Sequence, residues 1–181
     1  MKKLIYKICI LTSIVSCSGI NEERTTGTFI EDFSIERKIN KFINKDYELD
    51  ALTNVKATSY NEVLLLTGQI PNERLRKEII NGARKVTKIK KIHDFTILAA
   101  PSSMISRSND KYLTTKVRTR ILATAIFKKE KNVKSNRIKV VTDNSTVFLL
   151  GIVNSEQAKT ATKIARETSG VQKVVTLWEI K

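Results

Sequence analysis

Two places in this chain gather side chains able to do chemistry. One is Cys17, a nucleophilic thiol that closes a short apolar run. The other is the stretch 110–129, where Lys111, Lys116, Arg118, Arg120, Lys128 and Lys129 accompany Tyr112, and Asp110 is the one acid. Elsewhere the inventory for catalysis is thin. His93 is the single histidine, falls in a predicted strand, and has no cysteine beside it for a metal site. The six glycines are not spaced as a phosphate loop. No Ser/His/Asp or Ser/Lys grouping assembles with any specificity. Asp46, Glu48 and Asp50 cluster near a loop, where a weak cation site competes with the plainer reading of a solvated loop face. No catalytic residue and no metal ligand is therefore expected, and the chain reads as non-enzymatic.

The cationic stretch has the spacing of a helix, about Asp110–Lys129. Leu113, Val117, Ile121 and Ala125 make its buried stripe. At about 100° per residue, Tyr112, Lys116, Thr119 and Ala123 lie beside that stripe, with Arg120 at its edge. Asp110 at the helix start suits the macrodipole. Tyr112 and Lys116 are expected to be exposed. A tyrosine ring beside Lys and Arg suits a bilayer interface, where the ring enters the headgroup layer and the cations meet phosphate. Each cation near an anionic surface contributes about 1 kcal/mol. The alternative is a solvated basic face with Tyr112 packed on the domain's own sheet.

The amino terminus explains how such a face could reach a membrane. Lys2, Lys3 and Lys7 flank a short apolar run from Ile8 to Val15 that is too brief to span a bilayer. Residues 1–16 read as a secretory signal peptide. Ile14-Val15-Ser16-Cys17 resembles the lipobox of bacterial lipoproteins. That resemblance implies cleavage before Cys17, diacylglycerol on its thiol and a fatty acyl chain on the new amine. Several chains anchor far more firmly than one. Ser18, rather than Asp, implies by the same resemblance sorting to the outer membrane of a Gram-negative bacterium, at its periplasmic face. A short membrane anchor, or a signal that merely contains Cys, is the alternative. No cofactor beyond these covalent lipids is expected.

The chain has 181 residues, a net charge of +15 and two cysteines. Cys9 leaves with the signal and Cys17 carries lipid, so no disulfide forms within one mature chain, which must rely on packed cores. The charge is uneven. Residues 31–98 hold 13 Lys/Arg against 10 Asp/Glu, whereas residues 107–181 hold 16 against 6. The second half is the candidate for anionic partners, nucleic acid or anionic phospholipid. Export argues against nucleic acid.

The elements that must position these residues occur twice. Residues 17–30 read as the lipidated cysteine with a flexible tether, and residues 99–109, with Pro101 and several Ser, as a linker. Between and after them, 31–98 and 110–181 match. Val55–Gly68 aligns with Ile138–Gly151 as strand, polar turn, strand. Leu64 and Leu66, or Val147 and Leu149, share one face at period two. Pro71-Asn72-Glu73 and Asn154-Ser155-Glu156 start a helix after each hairpin. Its apolar stripe is Leu75, Ile79, Ile80 and Ala83, or Ala158, Ala161, Ile164 and Ala165. A last strand follows at Lys91–Ile97 and Lys173–Ile180. Ile35, Ile39 and Ile43 mark a helix before the first hairpin, as Leu113, Val117 and Ile121 do before the second. The expected class is α+β: two tandem αββαβ domains, each a three-stranded mixed sheet with two helices.

That order and the run Val147-Phe148-Leu149-Leu150-Gly151-Ile152-Val153 resemble the BON domain. Ser169-Gly170-Val171-Gln172-Lys173-Val174 is similar to the family's closing motif, and Asp110–Arg118 is the closest local match. The first copy departs from the pattern, with Lys88 at the place of Gly170 and Glu62 at a turn glycine. Two copies behind a lipobox resemble the dual-BON outer-membrane lipoproteins. The resemblance implies a non-enzymatic lipoprotein that binds anionic phospholipid through Lys111, Tyr112, Lys116, Thr119, Arg120 and Ala123 of the second domain. It also implies support of envelope integrity, including at the division site. The first domain is expected to pack on the second or to bind another envelope or division protein. The competing readings are a periplasmic adaptor or stress-response BON protein whose basic helix docks on an acidic protein partner.

Overall fold

The structure, a computed structural model, describes residues 24–127 and 137–181. The first half runs α1 (Thr26–Lys45), α2 (Tyr47–Leu52), β1 (Asn54–Tyr60), β2 (Val63–Ile70), α3 (Glu73–Arg84) and β3 (Lys91–Leu98). The second runs α4 (Met104–Phe127), β4 (Ile138–Asp143), β5 (Thr146–Val153), α5 (Ser155–Arg166) and β6 (Lys173–Ile180). Each half has a three-stranded sheet whose central strand pairs antiparallel with the strand before it and parallel with the strand after its helix. The mixed sheets expected from the sequence are present.

Local chemistry fixes the ends of these elements. Thr25 caps α1 by accepting from the Thr28 amide, and Asn72 caps α3 through the Leu75 amide. Asn154 and Gln157 form a reciprocal capping box on α5. Asp46 accepts from the Glu48 and Leu49 amides and starts α2. The acids read as a loop cluster are therefore a helix cap and its first turn, with Glu48 paired to Arg74. Both hairpins turn through two residues of positive φ, Asn61-Glu62 and Asn144-Ser145. Such turns suit the right-handed twist of the flanking strands. Lys88 keeps the left-handed conformation of its counterpart Gly170, with φ 75° against 97°. The departure noted in the sequence is thus a non-glycine residue held, at some cost in backbone strain, in the same left-handed conformation.

Three changes to the expected elements follow. Helix α1 begins at Thr26, capped by Thr25, so residues 26–30, read as flexible tether, are its first turns. The first half carries the additional helix α2. The second-half helix begins at Met104, so residues 104–109, read as linker, are its first turns.

Each domain has a core between its helices and one sheet face. Ile35, Ile39, Ile43, Leu64 and Leu66 lie in the first, and Val117, Ile121, Val147, Leu149 and Ala161 in the second. A third cluster joins Tyr60, Leu65 and Phe95 of the first sheet to Phe148, Leu150 and Ile152 of the second. Phe95 and Phe148 meet edge to face at 5.2 Å. The sheets therefore pack face to face, with a helical layer on either outside, and the two domains share a core. Polar contacts rim it. The Tyr60 hydroxyl donates to the Arg137 carbonyl at 2.8 Å, Lys139 reaches Glu36 at 2.6 Å, and Gln69 donates to Asp143 at 3.1 Å.

Candidate functional site

The expected lipid-facing helix is built on α4, and Asp110 fixes it to the sheet. Asp110 is buried well inside the helix. Its carboxylate accepts from the Asn144 and Ser145 amides, each at 2.9 Å, in the β4–β5 turn. It does not sit at the helix start against the macrodipole, because α4 begins earlier. Asp32 does the same work on α1. It accepts from the Asn61 and Glu62 amides at 2.8 Å and from the Ser59 hydroxyl at 2.6 Å. The pair escaped the sequence reading, although an Asp at the matching place of both copies was a usable signal.

With Leu113, Val117 and Ile121 buried, the outward face of α4 is set. Tyr112 is 60% exposed, so it does not pack on its own sheet. The Lys116 ammonium lies 5.6 Å from the centre of its ring, within cation–π range. Lys116 is half-buried, not free, and donates to the Ser169 carbonyl at 3.0 Å. Arg120 donates to the Glu167 carbonyl at 2.8 Å and to the Thr168 hydroxyl at 3.1 Å. The end of α5 leaves carbonyls without helical partners, and cations from α4 satisfy them where the helix dipole favours positive charge. Thr119 is exposed and Ala123 half-buried on the same side.

The structure thus brings Tyr112, Lys116, Thr119, Arg120 and Ala123 to one surface beside α5. Lys111 is exposed but points elsewhere, about 120° around the helix from the centre of that group. Lys128, Lys129, residues 1–16 and Cys17 lie outside the described residues, as does the side chain of Ala125. Among the described residues no helix is long and apolar enough to cross a membrane.

The first domain repeats this surface only in part: Lys38 stands at the place of Lys116, without the tyrosine beside it. Aligned on Asp32 and Asp110, Ser34 stands at the place of Tyr112 and Phe42 at that of Arg120. The Phe42 ring lies against Gly82, where an added Cβ would come within 2.4 Å of it. A ring seated between helices replaces a cation at their rim.

Comparison with known proteins agrees with this duplicated plan. The chain is 33% identical over 165 residues to "Outer membrane lipoprotein DolP" of Haemophilus influenzae, covering 91% of this chain and 82% of the relative. It is 28% identical to "21 kDa hemolysin" of Actinobacillus pleuropneumoniae, covering 85% and 76%. It is 25% identical to "Osmotically-inducible protein Y" of Escherichia coli, covering 82% and 72%. The BON domain family model matches twice, at residues 31–100 and 109–181, one match for each sheet and its helices. Two αββαβ units, each clamped by an Asp at its hairpin turn, and two family matches over them make this chain a member of the BON domain family with two copies of the domain.

Proposed function

We propose that this chain is a non-enzymatic lipoprotein anchored through Cys17 at the periplasmic face of the outer membrane of a Gram-negative bacterium. There its second domain binds anionic phospholipid through the α4 surface and supports envelope integrity. The observation that carries the reading is the pair on that surface. Tyr112 is 60% exposed, and the Lys116 ammonium lies 5.6 Å from its ring centre. An exposed phenol beside a cation is the side-chain chemistry of a bilayer interface. The excess of 16 Lys/Arg over 6 Asp/Glu in residues 107–181 favours an anionic surface. The similarity to a protein named as an outer-membrane lipoprotein supports the anchor and its location.

Mass spectrometry of the mature amino-terminal peptide tests the anchor. Acyl mass on Cys17 is expected, and Cys17→Ala should release the protein from the membrane fraction or leave it unprocessed. An unmodified Cys17 on a processed chain contradicts the proposal. Flotation of residues 18–181 with anionic vesicles, free of any other protein, separates lipid binding from docking on an acidic protein.

A further inference from the structure

An open groove of about 440 Å³ lies between α5 and β6. Trp178 of β6 forms one wall. Lys159, Thr162, Lys163 and Arg166 of α5 form the other, with Glu167 at the end. Positions 159, 162, 163 and 166 follow helical spacing, so they share one face of α5. Ala158, Ala161 and Ala165 bury the other face in the core. Trp178 is the chain's single tryptophan. It packs partly buried on the domain core with its ring over Gly151, where an added Cβ would lie 3.1 Å away, and its indole nitrogen is 3.4 Å from the Thr162 hydroxyl. The ring is therefore held in place beside three cations.

The first domain fills this place differently. Thr96 pairs with Gly68 as Trp178 pairs with Gly151. The Asp94 carboxylate, paired with Arg76 at 2.7 Å and accepting from the Thr96 hydroxyl at 2.6 Å, occupies the position of Thr176. An ion pair stands there in place of an aromatic wall.

The geometry points to the α5–β6 groove as a second phospholipid headgroup site, with Lys159, Lys163 and Arg166 meeting the phosphate and Trp178 set at the headgroup layer. Charge and ring chemistry are those of a membrane interface. Lys163 reaches Glu167 at 3.8 Å, but both side chains are well exposed, so that pairing is weak enough to yield to phosphate. The groove also adjoins the α4 surface, because Arg120 donates to the carbonyl of Glu167 at the groove's end. The inference rests on the lipid-facing reading of α4 and enlarges it to the whole outer helical layer of the second domain.

The single tryptophan makes the test direct. Residues 18–181 retain every described element and carry no acyl anchor. They are mixed with anionic vesicles containing phospholipid brominated near the headgroup. Trp178 emission should shift to shorter wavelength and fall roughly twofold. The double variant Lys159→Glu/Lys163→Glu should lose that quenching while its thermal unfolding stays that of the wild type. If the protein floats with the vesicles and Trp178 emission does not change, the groove does not face lipid, and the α4 reading stands without it. If the protein does not float at all, the α4 reading fails and the groove proposal with it. A shift of equal size with soluble glycerol phosphate would mark a site for a free anion and overturn the membrane assignment.

Discussion

The guanidinium of Arg120 on α4 donates to the backbone carbonyl of Glu167, just past the end of α5, at 2.8 Å. Lys116 makes a parallel bond to the carbonyl of Ser169. Two side chains of the proposed lipid surface therefore also hold the outer helical layer together. Charge on this surface cannot be altered without touching stability, contrary to what simple exposure of Lys116 would imply. Arg120→Ala should destabilise the chain by about 0.5–1 kcal/mol, the usual value of one such carbonyl cap. Urea unfolding measures this. Arg120→Lys should recover part of the loss.

Asp110 accounts for the positive-φ turn that follows β4. Asp110→Ala removes the acceptor of the part-buried Asn144 and Ser145 amides and should cost about 1–3 kcal/mol. Asp110→Asn keeps one acceptor and should cost less. Hydrogen exchange at these two amides should accelerate in the alanine variant, and unchanged protection there would refute the clamp.

A buried acid, Asp143, lies at the rim of the core shared by the sheets. Burial pushes the Asp143 carboxyl above its ordinary value, the Lys56 ammonium pulls it back, and the Asp110 charge adds to the rise. An acid whose folded value is raised binds its proton more readily in the folded state. Its contribution to stability is therefore greatest below the unfolded value and declines as pH rises through the folded one. Asp143→Asn should flatten the stability profile over the window just above the ordinary carboxylate range, as read by thermal unfolding at a series of pH values. A variant that keeps the wild-type slope there would exclude Asp143 as its source.

Period-two and helical spacing made most of the fold legible. The buried rows Leu64/Leu66 and Ile35/Ile39/Ile43 lie where their spacing puts them. What spacing did not disclose was the second buried face of the central strands. Leu65, Phe148 and Leu150 stand between the rows and are buried against the partner sheet. An unbroken apolar run such as Val147–Leu150 was the available signal, since strands covered on both faces do not alternate. The start of α4 was missed because Ser and Pro near residue 101 suggest a break, while Met104 and Ile105 are helical yet exposed and add no stripe. The candidate surface was legible in its residue types and not in its bonds. Nothing in local sequence says that Lys116 and Arg120 meet carbonyls contributed by a segment some fifty residues away. Trp178 was passed over because its strand alternates only in part, and its cations belong to a different helix.

Flotation of residues 18–181 and two variants with vesicles, paired with thermal unfolding, tests the central claim. Wild type should float with anionic vesicles, not with zwitterionic ones, and release as salt rises. Tyr112→Ala should unfold within about 0.5 kcal/mol of wild type and lose most of its binding. Val117→Asp, which places a charge in the core, should unfold the second domain and serves as the folding control. A folded Tyr112→Ala variant that floats as well as the wild type would contradict the assignment of lipid binding to the α4 surface.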